Sequence, residues 1–235
     1  MSPTDMSDLA ARLERMKDED YAKKCRKRAM KDKASPTWLA RAWDTILGFI
    51  IYRAHPWLQR FIIRFCPKYL LISLGRRIRE QGDELLKVGP RAYLLSPDII
   101  LMSGFGITSG RAGNQNYAYN HVNPAIVRVP EVYRFFEDQS TCRPEGYLFM
   151  EYFHGKTVAE LDKDTEGNAV SKALTQRVSD IQAHLMSIQA EPNTPPGPVG
   201  GGLPWGYLWG DFGGNACFNS VKDLNLYLNK RLKTY

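Results

Sequence analysis

Val170, Leu174, Val178, Ile181, Leu185 and Ile188 recur at steps of three or four, the period of an amphipathic helix. Upstream the pattern is different. The stretch "ELLKVGPRAYLLSPDIILMSGFG" holds two short apolar runs divided by "SPD", with glycines at Gly89, Gly104 and Gly106, and predicts adjacent strands joined by turns. A polar segment predicts a helix over 109–121. The β-rich runs "VRVPEVYRFFED" and "GYLFMEYF" then predict two further strands around a loop holding Cys142 and Pro144. Beyond the long helix, "EPNTPPGPVGGGLPWG" reads as a Pro and Gly loop, and a last helix is predicted over 220–231. On the N-terminal side, the mixed-charge segment over 7–33 predicts a helix. Ser35 and Pro36 supply an N-cap and a first-turn proline for a second helix through Trp38 and Trp43, and Pro56 and Pro67 divide the next stretch of chain into short helical pieces.

Composition narrows the class. A chain of 235 residues with 43% hydrophobic and 24% charged residues can bury a core and form one or two globular domains. The net charge of +7 is uneven, because residues 1–90 carry 19 Lys and Arg against 11 Asp and Glu while the remainder is about neutral. The cluster "KKCRKR" at Lys23–Arg28 fits a solvated helix face, nuclear import or an anionic partner. The Arg and aromatic residues interleaved in "ILGFIIYRAHPWLQRFIIRF" fit an anionic membrane surface or packing against the next domain. The longest uncharged run there, Thr45 to Tyr52, is far short of the roughly 20 residues that span a bilayer, so no transmembrane segment is expected. With no secretory-type opening and four scattered cysteines lacking zinc or dithiol spacing, a cytoplasmic or nuclear location is expected.

The order strand, strand, helix, strand, strand, short link, long helix carries a resemblance. Through "LLSPDIILMSGFGITSGRAGNQNYAYNHV", "VRVPEVYRFFED" and "GYLFMEYFHGKTVAEL", residues 89–160 resemble the small lobe of the aminoglycoside phosphotransferase family, particularly its fungal kinase-like members. "LPWGYLWGDFGGNACFNS" and "LNLYLNKRL" are similar to the segment such members carry before their catalytic loop. The resemblance implies an α+β fold: a protein-kinase-like small lobe of antiparallel sheet plus helix, a truncated helical C-lobe and a helical N-terminal extension. The corresponding domains are 1–82, 83–154 and 155–235. It also implies a hinge at which the Glu151 carbonyl and the Phe153 amide face adenine, with Met150 at the back of the pocket.

The chain departs from that pattern where phosphates are handled. The family's phosphate-holding Lys falls on Met102, and the helix Glu that pairs with it falls on Arg111. Asp211, Phe212 and Gly213 spell a kinase metal-binding tripeptide. Yet "LMSIQAEPNTPPGPVGGGLPWG" before them holds neither the His nor the Asp of a catalytic segment, so a turn is expected. The resemblance would place the catalytic and metal-binding loops beyond Tyr235, and a shortened gene model, a pseudogene product or an isolated binding lobe all suit this. His55, His121, His154 and His184 lack ligand spacing, and Asp162, Asp164 and Glu166 in "LDKDTEG" lack the downstream ligands of a calcium loop. The expectation is therefore a catalytically incomplete kinase-like protein with no resident cofactor and at most weak ATP binding at the hinge. The alternative is a noncatalytic module that binds an acidic partner, membrane or nucleic acid through residues 1–90. Val221, Leu224 and Leu228, widened by Leu226 and Tyr227, predict an uncovered C-terminal apolar face able to self-associate.

Overall fold

The computed structural model describes residues 38–81, 87–140, 144–163, 168–190, 194–205, 209 and 216–232. The expected helix over 7–33, its basic cluster and the Asp211 to Gly213 tripeptide lie outside them. The fold is α+β. Among the described residues three helices come first, α1 (Trp38–Arg53), α2 (Pro56–Phe65) and α3 (Lys68–Gln81). Their breaks have a steric cause: His55 and Cys66 each precede a proline and are extended, with ψ 146 and 138, because the proline ring disfavours helical geometry in the residue before it. The last carbonyls of α2 are not left bare, since the Arg134 guanidinium donates to Ile63 O at 3.0 Å and to Cys66 O.

Five strands come next: β1 (Lys87–Gly89), β2 (Ala92–Ser96), β3 (Ile99–Gly104), β4 (Val132–Asp138) and β5 (Glu145–Glu151). They form one antiparallel sheet in the order β1-β2-β3-β5-β4. Helix α4 (Ser109–His121) carries the chain from β3 to the outer strand β4, and β5 returns between them. Thr108 caps α4 by accepting from the Arg111 amide at 3.3 Å, and Glu137 on β4 accepts from Ser109 N at 3.4 Å, an acidic group at the positive helix end.

Both faces of the sheet are covered, which explains why β3 and β5 read as continuous apolar runs rather than alternating ones. On one face Ile99 and Leu101 of β3, with Tyr147 and Phe149 of β5, pack against Ile51, Ile63, Leu71 and Leu74 from α1, α2 and α3. On the other, Ile107, Ala112 and Leu148 gather Met102, Val132, Phe135 and Met150 beneath α4. The helical extension thus shares its core with the sheet. Close approach is secured by glycine: a Cβ at Gly75 of α3 would lie 2.9 Å from the Tyr147 ring, and one at Gly146 would meet the Ile107 carbonyl oxygen at 1.7 Å. A buried polar link adds to the packing, with Ser96 donating to Gln59 at 3.1 Å and Gln59 donating to Ala54 O at 2.9 Å.

The basic excess of the helices is partly answered inside the fold. Arg76 pairs with the buried Asp138 at 2.5 Å, Arg79 with Glu145 at 2.9 Å and Arg64 with Glu131 at 2.6 Å. Burial works against the Arg79 charge, but the Glu145 hydrogen bond and charge outweigh it and hold the guanidinium above its ordinary pKa.

After β5 come α5 (Val158–Lys163), α6 (Asn168–Ser187) and α7 (Val221–Leu232). The short α5 is closed by a reciprocal cap. Thr157 N donates to Glu160 Oε2 at 2.6 Å, while Glu160 N donates to Thr157 Oγ1 at 3.2 Å. Helix α6 is tied to the segment after α4 by polar contacts: Arg177 to Ile126 O at 2.6 Å and Asn123 N to His184 Nε2 at 2.9 Å. In α7, Tyr227 packs with Trp209 and Phe218, while Val221, Leu226 and Leu232 stay exposed. Pro198 and Val199 of the Pro and Gly loop lie on α4, where Gly110 and Gly113 make room for them, and Val199 N donates to Asn114 Oδ1 at 2.7 Å.

Candidate functional site

The end of β5 is where chain segments from four parts of the fold converge. Glu151 N donates to Glu131 O at 2.9 Å, and Tyr152 N donates to Asp98 O of the β2–β3 turn at 2.9 Å, so the backbone leaving the sheet is held from both sides. Two clefts of about 600 Å³ and about 630 Å³ open here and share Arg60, Arg128 and Glu151. The first extends along Tyr119 and Asn120 at the end of α4 and Val127 in the segment after it. The second extends over Asp98, Tyr152, Phe153 and His154.

The arginines and glutamates in these clefts are arranged as pairs. Arg128 bonds Glu151 Oε1 at 2.7 Å and lays its guanidinium over the Phe153 ring at 4.0 Å, while Glu151 Oε2 accepts from Glu131 N at 3.3 Å. Glu131 is held by Arg64 at 2.6 Å and Arg60 at 3.6 Å. Each of Arg60, Arg64 and Arg128 already faces a carboxylate, which lowers the attraction of the clefts for small anions.

Tyr133 lies under this cluster for a local reason. The register shifts between Val132, opposite Met150, and Arg134, opposite Phe149, so Tyr133 is the extra residue of a β-bulge. The bulge lets Tyr133 join the helix-side core beside Arg134. The Arg60 guanidinium sits 5.3 Å from its ring centre, and its buried hydroxyl makes no hydrogen bond of good geometry. Burial pushes the Tyr133 pKa up to about 12; Arg60 opposes this, and Glu151 and Glu131 add to it.

The structure separates the residues read from the sequence. Glu151 and Phe153 line the second cleft, and the Phe153 amide has no hydrogen-bond partner among the described residues. Met150 lines neither cleft and lies with Met102 in the apolar cluster beneath α4. Arg111 is exposed on α4. Arg60, Arg128 and Tyr133 are site residues that the sequence reading does not reach. The one available signal is Arg128 itself, a charge set between Val127 and Val129 ahead of Pro130. Chemically, the clefts present backbone groups and paired ions, and His154 stands edge-on to Tyr152 at 4.9 Å. Among the described residues no three His, Cys, Asp or Glu side chains gather as a metal site would require. No family model, curated protein or solved structure matches the chain.

Proposed function

We propose that β1–β5 and α4 form a kinase-like small lobe of the aminoglycoside phosphotransferase type that no longer handles phosphate, and that the protein acts by binding. The observation that carries this reading is the sheet order β1-β2-β3-β5-β4 with a single helix between β3 and β4, followed by a segment leading from β5 into helices. The setting of Met102 supports the inactive half of the reading: it is packed among Ile107, Ala112 and Leu148, an apolar site with no charge to offer a phosphate.

A mutational cycle tests the registration. Met102→Lys alone is expected to lower stability by about 1–3 kcal/mol, because an amine enters the apolar cluster without a partner. Arg111→Glu alone should change stability by less than about 0.5 kcal/mol, and the double variant should recover about 1 kcal/mol of the loss. Strict additivity would remove the family's Lys and Glu positions from Met102 and Arg111. Magnesium-dependent phosphate release from ATP by the unmodified chain, abolished by altering Glu151 and Phe153, would overturn the inactive assignment.

A second reading, an interaction module using the N-terminal helices, is favoured by a separate observation. No acidic residue occurs from Thr45 to Arg79, and Arg53 and Lys68 in that stretch are exposed. Such a surface suits an acidic partner.

A further inference from the structure

Helix α2 presents two unlike sides. Gln59 and Ile63 enter the core, whereas Trp57, Phe61 and Phe65, spaced four apart, are 64%, 54% and 69% exposed. A spacing of four drifts only about 40° per step, so these rings form one stripe along the whole helix. Phe61 and Phe65 lie 4.6 Å apart between ring centres. The preceding helix α1 adds exposed Ile46, Phe49 and Ile50. Large rings left in water on neighbouring helices mark an interaction surface.

The charges around the stripe choose its partner. Arg53 reaches over the Phe49 ring at 5.7 Å, Lys68 is exposed just past Phe65, and half of the Arg64 side chain remains accessible beside its bond to Glu131. No carboxylate lies between Thr45 and Arg79 to repel an anionic surface. Aromatic side chains on one strip, cations on its borders and no acid from Thr45 to Arg79, the nearby Glu131 being held by Arg60 and Arg64, is the chemistry of a helix lying in a lipid headgroup region. A nucleic acid would use the cations but leave Ile46, Phe49 and Ile50 in water. No described helix is long and apolar enough to cross a bilayer.

We propose that the outer face of α1 and α2 docks on anionic membranes, with Trp57, Phe61 and Phe65 at the boundary between headgroups and acyl chains and Arg53 and Lys68 among the headgroups. This rests on the interaction-module reading and narrows its acidic partner to lipid.

The test is co-sedimentation of the full chain with vesicles of phosphatidylcholine alone and of phosphatidylcholine with about one-third phosphatidylserine. The expected result is binding to the anionic vesicles with weak binding to the neutral ones. The triple variant Trp57→Gln, Phe61→Gln, Phe65→Gln should bind about tenfold or more weakly, with an unchanged melting curve because the three rings are exposed. Arg53→Gln and Lys68→Gln should each weaken binding about fivefold. Equal binding to both vesicle types, or a folded triple variant that binds as well as the parent, overturns the proposal. Binding to duplex DNA or polyglutamate without vesicle binding leaves the interaction module standing and removes lipid as its partner, while binding to none of these removes both.

Discussion

The half of the protein built from α1, α2, α3 and the sheet differs from the α6 and α7 part in how its apolar residues are treated. In the first, Ile51, Ile63, Leu71, Leu101, Tyr147 and Phe149 are fully buried between two layers. In the second, α7 has no buried residue, and on α6 Val178, Leu185 and Met186 remain exposed. Both helices have good periodicity. Periodicity alone does not build a core; a second apolar layer must arrive at each face, and the sheet receives one on both sides while α6 is tied by polar contacts and α7 meets Trp209 and Phe218 through Tyr227 alone among the aromatic contacts of the described residues.

The largest test of that contrast is truncation at matched positions. Phe149→Ala should destabilise by about 3–5 kcal/mol in urea unfolding, since it opens a cavity between sheet and helices. Leu226→Ala on α7 should change stability by less than about 0.5 kcal/mol. Comparable losses would mean that α7 belongs to the same packed core.

Next in size is a pair of glycine substitutions. Gly146→Ala places a methyl group 1.7 Å from the Ile107 carbonyl oxygen, and β5 or the start of α4 must move. A loss of about 1–3 kcal/mol or more is expected. Gly155, just past β5, has nothing within 4 Å of an added Cβ, so Gly155→Ala should leave the melting temperature nearly unchanged. A tolerated Gly146→Ala would show that the contact at Ile107 is loose.

The smallest effect near neutral pH, and the one that separates the regions by sign, is titration. Burial pushes both Tyr133 and Tyr147 up to about 12 from an ordinary 10. The folded state then binds protons more tightly than the unfolded chain. The stabilisation from these tyrosines is complete below pH 10 and is lost as pH rises toward 12. On α5, hydrogen bonds from the Thr157 backbone and side chain hold Glu160 below its ordinary 4.5. Its contribution is present above that value and disappears as pH falls through the lowered pKa. Absorbance at alkaline pH should show delayed ionisation of two tyrosines together with loss of the sheet. Glu160→Gln should alter only the acid limb. An alkaline limb unchanged in Tyr133→Phe and Tyr147→Phe variants would refute the assignment.

Several elements are legible from local chemistry. The polar helix over 109–121 appears as Ser109–His121, and "SPD" does turn β2 into β3. The last helix appears at Val221–Leu232, within one residue of expectation. Other boundaries move for stated reasons. The run "VRVPEVYRFFED" reads as a strand from its first valine, but β4 begins at Val132 because Pro130 has no N–H for a ladder. Helix α5 reads as a link although "TVAE" carries a capping-box pattern, since six residues show little periodicity. At the candidate site, Glu151 and Phe153, expected at a hinge, line the second cleft. Arg60 gives no local signal, and Arg128 gives only its place between two valines, because each acts on carboxylates distant in sequence.

By itself the sequence determined the type of most of the described elements, α5 excepted. Helical spacing, proline breaks, glycine-bounded apolar runs and the "SPD" turn are local, and they act within a few residues through backbone sterics and hydrogen bonding. Only the tertiary structure decided what each apolar face would meet. Residues as far apart as Ile63 and Phe149, or Arg76 and Asp138, become neighbours through the order of strands and the return of three helices across the sheet. The same arrangement decides that Trp57, Phe61 and Phe65 remain outside while Ile63 on the same helix is buried. An amphipathic pattern specifies that a helix has sides, and burial of one side depends on which layer reaches it first.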